Sequence, residues 1–336
     1  MPNRVGQRTL QLHNRPAVAG YAAVVGQKEG EGPLADQFDR INEDSLLGEA
    51  SFERAESALQ KMAVGIALEK AGCTAGDVQY IFAGDLLNQC IGSSFGLRDY
   101  NIPFIGLYGA CSTMALSLAM AAIFVDSGAA TLTAAVTSSH FCAAERQFRF
   151  PLEYGGQRPP TAQWTVTGSG AAIVAAQGGG PFVQAVTVGK MVDLGVKDAN
   201  NMGAAMAPAA AQTIEDFLQD TGTAPADYDL ILTGDLGEVG SGLLMELLEK
   251  DGIDISGLHN DCGLLIFDRE NQDVHAGGSG CGCAGSVLCS YIFNQLREGK
   301  LQNILFCATG ALMSTTSSQQ GESIPGVAHL LQITAR

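Results

Sequence analysis

Basic residues are scarce in this 336-residue chain. It carries 19 Lys and Arg against 35 Asp and Glu, which gives a formal net charge of −16. Affinity for nucleic acid comes mostly from Lys and Arg on phosphates, and electrostatic docking on anionic lipid also needs basic residues. The composition therefore argues against a nucleic-acid partner and against simple electrostatic docking on a membrane. A small anionic ligand would need helix N-termini or a few well-placed arginines.

The sequence also lacks the usual motifs of disulfide frameworks and metal sites. Its nine cysteines are an odd number without a framework spacing. Cys281 and Cys283 form a C-x-C pair, not the C-x-x-C of zinc or redox sites. We therefore expect reduced thiols and no metal. The first apolar run, residues 17–25, is short and is interpreted as a strand, so we expect neither a signal peptide nor a membrane span.

Small and apolar residues are abundant, with 46% hydrophobic residues and 42 glycines. Residues 101–125 contain no charge, but Pro103, Gly106 and Gly109 interrupt them. We interpret this stretch as a short strand, a glycine turn and a buried helix that begins near Cys111. A thiol at a helix N-terminus faces unpaired amide N–H groups, which can lower its pKa. Position alone leaves two readings of Cys111 open, an activated nucleophile or a small buried side chain.

The second half of the sequence repeats the first. Residues 228–235 match residues 78–85, both ending in Gly-Asp, and residues 282–310 match residues 111–139. Alternating strands and helices indicate a layered α/β fold. We therefore predict two similar halves, residues 1–176 and 177–336, with the paired helices in the middle. A polar insertion at about residues 141–165 is expected to be a long loop, and loops of that length are often functional.

A Gly-Ala-Cys-Ser turn that enters a buried helix, within a duplicated α/β chain, resembles the thiolase and ketoacyl-synthase superfamily. Within it, the chain most closely resembles the stage V sporulation protein AD (SpoVAD) family. This resemblance implies a five-layered α-β-α-β-α arrangement, in which the superfamily uses the cysteine to accept acyl groups. The matching segments are LYGACSTM (107–114), AERQFRFP (144–151), EYGG (153–156), TVTGSG (165–170), PADYDLI (225–231), HNDCG (259–263) and GGSGCGC (277–283).

The resemblance to this family implies a sporulation protein that binds dipicolinic acid, free or as its calcium chelate. It implies a soluble subunit of the SpoVA assembly, which transports this dianion across the spore inner membrane, with other SpoVA membrane proteins as partners. The chain would lie in the forespore or spore, peripheral to the inner membrane and without a transmembrane segment. Folds of this superfamily usually form homodimers, so we expect a dimer. No cofactor is expected, apart from Ca²⁺ bound with the ligand.

We expect no condensing activity. The condensing enzymes of the superfamily carry a histidine in a Gly-His-Pro turn of the second half, and the corresponding turn here is Gly280-Cys281-Gly282. A cysteine without its base and oxyanion partners loses most of its rate advantage. His140, just after a predicted strand, is the remaining candidate base for Cys111, unless it is a structural residue. Two alternative functions stay open, an acyl-CoA-dependent acyltransferase that uses Cys111 and a structural subunit without a ligand.

The expected ligand is a flat pyridine ring with two carboxylates, so its site needs apolar walls and hydrogen-bond donors. We place one carboxylate at the helix N-terminus, with the residues after the predicted strand on one side and the second glycine turn on the other. The arginines of the polar insertion would reach the second carboxylate, unless they form surface or dimer salt bridges. Trp164 is either a wall of the pocket opening or a packing residue. The predicted ligand-binding residues are Cys111, Ser112, Thr113, Ser139, His140, Arg146, Arg149, Cys281 and Cys283.

Overall fold

A computed structural model describes residues 2–148 and 158–336 of the chain, which form a mixed α/β fold. The strands are β1 (Asn3–Val5), β2 (Thr9–Gln11), β3 (Ala17–Gly26), β4 (Arg40–Asn42), β5 (Tyr80–Gly84), β6 (Phe104–Gly106), β7 (Leu132–Ser139), β8 (Trp164–Thr165), β9 (Gly168–Ala175), β10 (Phe182–Val188), β11 (Leu230–Thr233), β12 (His259–Asp261), β13 (Gly278–Ser279), β14 (Asn303–Ala311) and β15 (Gly326–Thr334). The helices are α1 (Gln27–Gly30), α2 (Phe52–Ala71), α3 (Ile91–Leu97), α4 (Thr113–Asp126), α5 (Phe141–Phe148), α6 (Met202–Thr221), α7 (Gly237–Lys250), α8 (Cys262–Leu265), α9 (Cys281–Val287), α10 (Phe293–Arg297) and α11 (Thr315–Gln319). A π-helical segment, Leu288–Ile292, joins α9 to α10.

The main strands of each half form a five-stranded sheet, and the two sheets have matching strand orders. The first sheet has the order β3-β9-β7-β5-β6, and the second has the order β10-β15-β14-β11-β12. Ala17 of β3 pairs with Phe182 of β10, which joins the two sheets into one continuous path. In both sheets the first two pairings of this order are antiparallel and the last two are parallel.

The helices form three layers around these two sheets. Helix α2 packs on β3 and β9 and contacts α3 on the outer face of the first sheet. Helix α6 packs on β14 and β15 and contacts α7 on the outer face of the second sheet. Helix α4 contacts β5 and β7 as well as β14 and β15, so it lies between the sheets together with α9. The predicted five-layered α-β-α-β-α fold is confirmed.

The two long outer helices show how closely the halves match. Helices α2 and α6 are each 20 residues long. Ser51 accepts a hydrogen bond from the Arg54 N–H at the start of α2, and Gly72 ends it in a left-handed conformation with φ 66°. The helix ends at this residue because glycine adopts the left-handed conformation without steric cost. None of the helices in residues 2–148 and 158–336 is long and apolar enough to cross a membrane.

The polar insertion is not the continuous loop that the sequence predicts. Its first part is helix α5, because Ala143 and Ala144 are buried on one face of an amphipathic helix. Its last part is β8, which pairs in parallel with β13 of the second half. The predicted ligand residue Arg149 lies outside the described residues.

Candidate functional site

Cys111 lies in a tight turn that leads into α4. Ala110 has a left-handed backbone with φ 49°. The Ser112 hydroxyl donates a hydrogen bond to the Gly109 carbonyl (2.6 Å), and the Thr113 hydroxyl donates one to the Ala110 carbonyl (2.6 Å). The two hydroxyls that the sequence assigns to ligand binding are therefore used to hold the turn itself.

Strand β14 of the second half packs directly against this turn. A Cβ on Gly310, in β14, would lie 2.3 Å from the Gly109 carbonyl oxygen and 3.2 Å from the Cys111 amide nitrogen. The first of these distances is shorter than real Cβ contacts allow and the second is unusually tight, so the strand approaches the turn this closely because residue 310 has no side chain. The position of Cys111 thus depends on both halves.

An acid lies beside Cys111. The Asp235 carboxylate is next to its thiol, and the Gly280 N–H, which donates to Asp235 Oδ2, is also close to the sulfur. Burial, followed by the charge of Asp235 and the neighbouring Cys281, raises the pKa of Cys111 well above its usual range. The amide donor lowers this pKa only in part. At neutral pH Cys111 is therefore a thiol, in contrast to the activated nucleophile that its helix N-terminus would favour.

Asp235 is fixed by contacts on both carboxylate oxygens. Oδ2 accepts from the Gly280 N–H (2.7 Å), and Oδ1 accepts from the Thr309 hydroxyl (3.0 Å). The Gln163 amide donates to the backbone carbonyls of Asp235 and Gly278, each at 2.7 Å, and so ties the two loops together. Burial raises the pKa of Asp235 to about 7. The carboxyl group is therefore close to half ionised at neutral pH.

The second glycine turn, Gly280-Cys281-Gly282, lies beside the first. Ser139 anchors it, because the Gly282 N–H donates to the Ser139 hydroxyl (3.2 Å), which itself donates to the Val166 carbonyl (2.6 Å). The Cys281 thiol donates to the Ser138 carbonyl (2.9 Å). Burial raises the pKa of both Cys281 and Cys283 well above the usual range. The structure thus brings Cys111 and Cys281 together, and it uses Ser139 to hold the turn.

His140 and Arg146 have partners of their own. The His140 Nε2 hydrogen-bonds the Ser45 carbonyl (2.7 Å), and its ring packs 5.2 Å from the Phe52 ring. Burial lowers the pKa of His140. Arg146 pairs with Glu53 at 2.5 Å, with 43% of its side chain exposed. These contacts match the structural alternatives for both residues, since neither places the side chain at Cys111.

His329 is a site residue that the sequence does not reveal. It lies in β15, is buried, and its Nε2 lies 3.8 Å from the position of a Cβ on Gly109. Its Nδ1 has no hydrogen-bond partner among the described residues, and burial lowers its pKa to about 4. An isolated histidine in an apolar strand carries no motif, so only the fold shows that it reaches the Cys111 turn.

Trp164 packs within the protein. Its ring stacks on Phe141 with centroids 4.0 Å apart, and the Lys28 ammonium lies 4.3 Å from its centroid. The structure therefore supports the packing alternative for Trp164. In the described part of the chain, no group of three or more His, Cys, Asp or Glu side chains is placed to hold a metal ion.

A small cavity adjoins Cys111. Its volume is about 20 Å³, which is room for about one water molecule. Flexible methionines and aromatic rings form much of its wall, and methionine adapts readily to a new neighbour. The lining residues are Leu86, Tyr108, Ala110, Cys111, Phe148, Met202, Ala311 and Met313.

Comparison with solved structures supports the fold. The 3-oxoacyl-[acyl-carrier-protein] synthase III of Aquifex aeolicus superposes with a TM-score of 0.58 at 14% identity, over 94% of this chain and 99% of that chain. Cerulenin-bound OleA of Xanthomonas campestris superposes with a TM-score of 0.59 at 13% identity, over 98% of this chain and 97% of that chain. At these identities the matches show the thiolase-like fold alone.

Comparison of sequences gives the family. The family model described as stage V sporulation protein AD (SpoVAD) matches residues 6–334. Stage V sporulation protein AD of Bacillus subtilis (strain 168) is 49% identical over 324 residues, which cover 96% of each chain. The chain therefore belongs to the SpoVAD family of sporulation proteins.

Proposed function

We propose that this sporulation protein binds dipicolinate, free or as its calcium chelate, and delivers it to a SpoVA transport assembly without performing condensation chemistry. The observation that carries the proposal is the position of the buried Asp235 carboxylate beside the Cys111 thiol. A carboxylate beside a thiol opposes formation of the thiolate, which is the reactive form of cysteine. The cysteine in this turn thus stays a weakly reactive thiol, which suits a protein that binds its ligand without forming a covalent bond.

The proposed ligand position is the cavity beside Cys111. A pyridine dicarboxylate is far larger than the water that this cavity holds, so binding requires the lining side chains to move. Tyr108 is half exposed, and Met202 and Met313 have several rotatable bonds. The polar side chain near the turn is His329, whose Nε2 lies 3.8 Å from the position of a Cβ on Gly109 and whose Nδ1 has no hydrogen-bond partner among the described residues.

Calorimetric titration with dipicolinate, with and without calcium, tests the proposal. A positional isomer of pyridine dicarboxylate is the control ligand. We expect saturable heat with dipicolinate and much weaker heat with the isomer. A folded protein that binds neither form would contradict the proposal.

Two variants locate the site. Ala311→Phe fills the cavity and should abolish binding, whereas Cys111→Ser should retain it because no covalent bond to sulfur is needed. The alternative acyltransferase function makes the opposite prediction, namely capture of an acyl group from acyl-CoA on Cys111 that is lost in Cys111→Ser. Intact-protein mass spectrometry after incubation with acyl-CoA separates the two functions.

A homodimer is part of the proposal. Strand β6 forms the edge of the first sheet, and several large apolar side chains are exposed on or near it: Ile91 (43%), Phe95 (54%), Phe104 (41%) and Tyr108 (51%). An open strand edge beside exposed apolar side chains is a typical surface for pairing with a second copy. Light scattering of the wild type and of Phe95→Glu tests this, with a dimer expected only for the wild type. Peripheral association with the spore inner membrane would then occur through the membrane proteins of the assembly.

A further inference from the structure

Asp235 is buried beside the proposed ligand site without a cation to neutralise it. Among the described residues, no salt bridge joins it to a Lys, Arg or His side chain. Its carboxylate accepts hydrogen bonds from the Gly280 N–H and the Thr309 hydroxyl, and the Cys111 thiol lies beside it. Among the described residues, the titratable groups that interact electrostatically with it include two kinds, acids and thiols: Cys111 before α4, Cys281 and Cys283 in α9, Asp261 in β12 and Cys262 in α8.

A dianion that enters the cavity at Cys111 must approach this carboxylate. Like charges in a buried site repel strongly, and one of the two groups then favours its protonated form. Among these neighbours the four thiols are already neutral, since the pKa of each is raised well above its usual range. Asp235 is therefore the group beside the site whose negative charge can be removed by protonation.

We propose that dipicolinate binding is coupled to the uptake of one proton by Asp235, so that the dianion is bound by the neutral acid form of the site. This inference rests on the proposed function and adds its pH regulation. The proton comes from the solvent and binds to a carboxylate oxygen of Asp235, and no covalent bond forms to the ligand. Protein and ligand together then carry the ligand's two negative charges, without a third.

The proton affinities of the nearby groups support this assignment. The pKa of Asp235 is about 7, so the acid form is readily reached at neutral pH. His329 is the other candidate, but its pKa is about 4, and it would need a much larger shift to hold a proton at pH 7. Asp235 is thus the first group to take up the proton. By linkage, the affinity for the dianion should fall about tenfold between pH 6 and pH 8 and about tenfold more by pH 9.

Calorimetry of the wild-type protein in buffers of different ionisation enthalpy measures the coupling directly. The slope of the observed enthalpy against the buffer's ionisation enthalpy gives the number of protons taken up. We expect close to one proton per site at pH 8 and a value near zero at pH 6. Binding with zero slope at both pH values would overturn the inference and leave the proposed function intact. Absence of binding would instead remove the proposed function.

Two matched variants assign the proton. Asp235→Asn keeps an acceptor for the Gly280 N–H and can donate to the Thr309 hydroxyl, and it should bind with a slope near zero and little dependence on pH. Glu29→Gln is the control, because Glu29 is also fully buried with its pKa raised to about 7, yet it accepts from the Thr167 N–H (2.9 Å) and not from the Cys111 turn. Glu29→Gln should keep the wild-type slope. A slope kept in Asp235→Asn and lost in Glu29→Gln would overturn the assignment, and the wild-type series decides the coupling if Asp235→Asn does not fold.

Discussion

The two glycine turns occupy equivalent places in the duplicated fold, yet they have different chemistry. Gly109-Ala110-Cys111 leads into α4, and Gly280-Cys281-Gly282 leads into α9. Cys111 contacts Asp235 from the other half, whereas the Cys281 thiol donates to the Ser138 carbonyl. Strand β14 packs against the first turn with Gly310 at the contact, and strand β7 packs against the second turn with Ser139 at the contact. Duplication thus supplied two similar turns. The strand residue that contacts each turn determines whether the turn has room for a side chain at that point.

The largest effect is expected from adding a side chain to the second turn. A Cβ on Gly282, the position that matches Cys111, would lie 2.4 Å from the Ser139 hydroxyl and 2.5 Å from the Gly168 carbonyl oxygen. Gly282→Ala should therefore lower the free energy of unfolding by about 3 kcal/mol or more. Urea denaturation measures this loss.

A control and a partial rescue sharpen this test. Gly242→Ala lies in helix α7 with no heavy atom near its Cβ, and it should stabilise the protein by up to about 1 kcal/mol. Adding Ser139→Gly to Gly282→Ala removes the clash with the Ser139 hydroxyl, one of three contacts shorter than 3.0 Å, and should restore part of the loss. Equal stability of Gly282→Ala and the wild type would show that the second turn does not need a glycine.

The next largest loss of stability is expected from changing the buried acid of the first half that matches Asp235. Asp85, which matches Asp235, accepts from the Leu87 N–H (2.9 Å) and from both the N–H and the hydroxyl of Ser93 (2.7 and 2.5 Å). Asp85→Asn places an amide donor against one of these donors and should cost about 2–3 kcal/mol of unfolding free energy. The neighbouring Glu56 is buried, and burial raises its pKa well above the usual range, which favours the protonated acid. Glu56→Gln, which keeps the shape of that acid, should therefore cost within about 1 kcal/mol.

The same denaturation measurements compare these two variants. A larger loss for Glu56→Gln than for Asp85→Asn would mean that Glu56 is ionised in the folded protein. The structure gives Glu56 one hydrogen bond, from the Ser138 hydroxyl (2.9 Å). Its second carboxyl oxygen has no hydrogen-bond partner among the described residues. A buried oxygen without a partner destabilises a protonated acid less than a charged carboxylate.

Thiol reactivity should separate the two turns further. In the wild type we expect slow alkylation of Cys111 and Cys281, since burial raises the pKa of both thiols. Asp235→Asn removes the main charge that opposes the Cys111 thiolate and should speed alkylation of Cys111 several-fold at pH 8. Cys281 should change less, because Glu56 and Asp85 affect its pKa more than Asp235 does. Peptide mass spectrometry after iodoacetamide treatment measures both rates, and equal acceleration of the two cysteines would contradict this account.

The sequence predicted the layers and the turns well, because both depend on local patterns. The glycine turn before α4 and the duplicated strands follow directly from glycine positions and from the repeat in the sequence. The side-chain partners of Cys111 could not be predicted in the same way. Asp235 and His329 are far from Cys111 in sequence, and they reach the turn only when the two sheets enclose the central helices. For Ser112, Thr113 and Ser139 the sequence could not reveal the hydrogen bonds that their hydroxyls make with backbone groups of the turns.

The smallest effect is expected at Arg146, which belongs to neither turn. Its ion pair with Glu53 lies at the surface with 43% of the arginine side chain exposed, and such pairs contribute about 0–1 kcal/mol. Arg146→Gln should therefore change the unfolding free energy by less than about 0.5 kcal/mol and leave dipicolinate affinity unaltered. Arg158→Gln is the matched comparison, because Arg158 pairs with Asp273 at 2.7 Å and lies 4.8 Å from the Trp164 ring centroid, so it should cost more stability. Loss of dipicolinate binding in Arg146→Gln at unchanged stability would restore the sequence-based role of this arginine as a ligand contact, and would move the binding site from the turn towards α5.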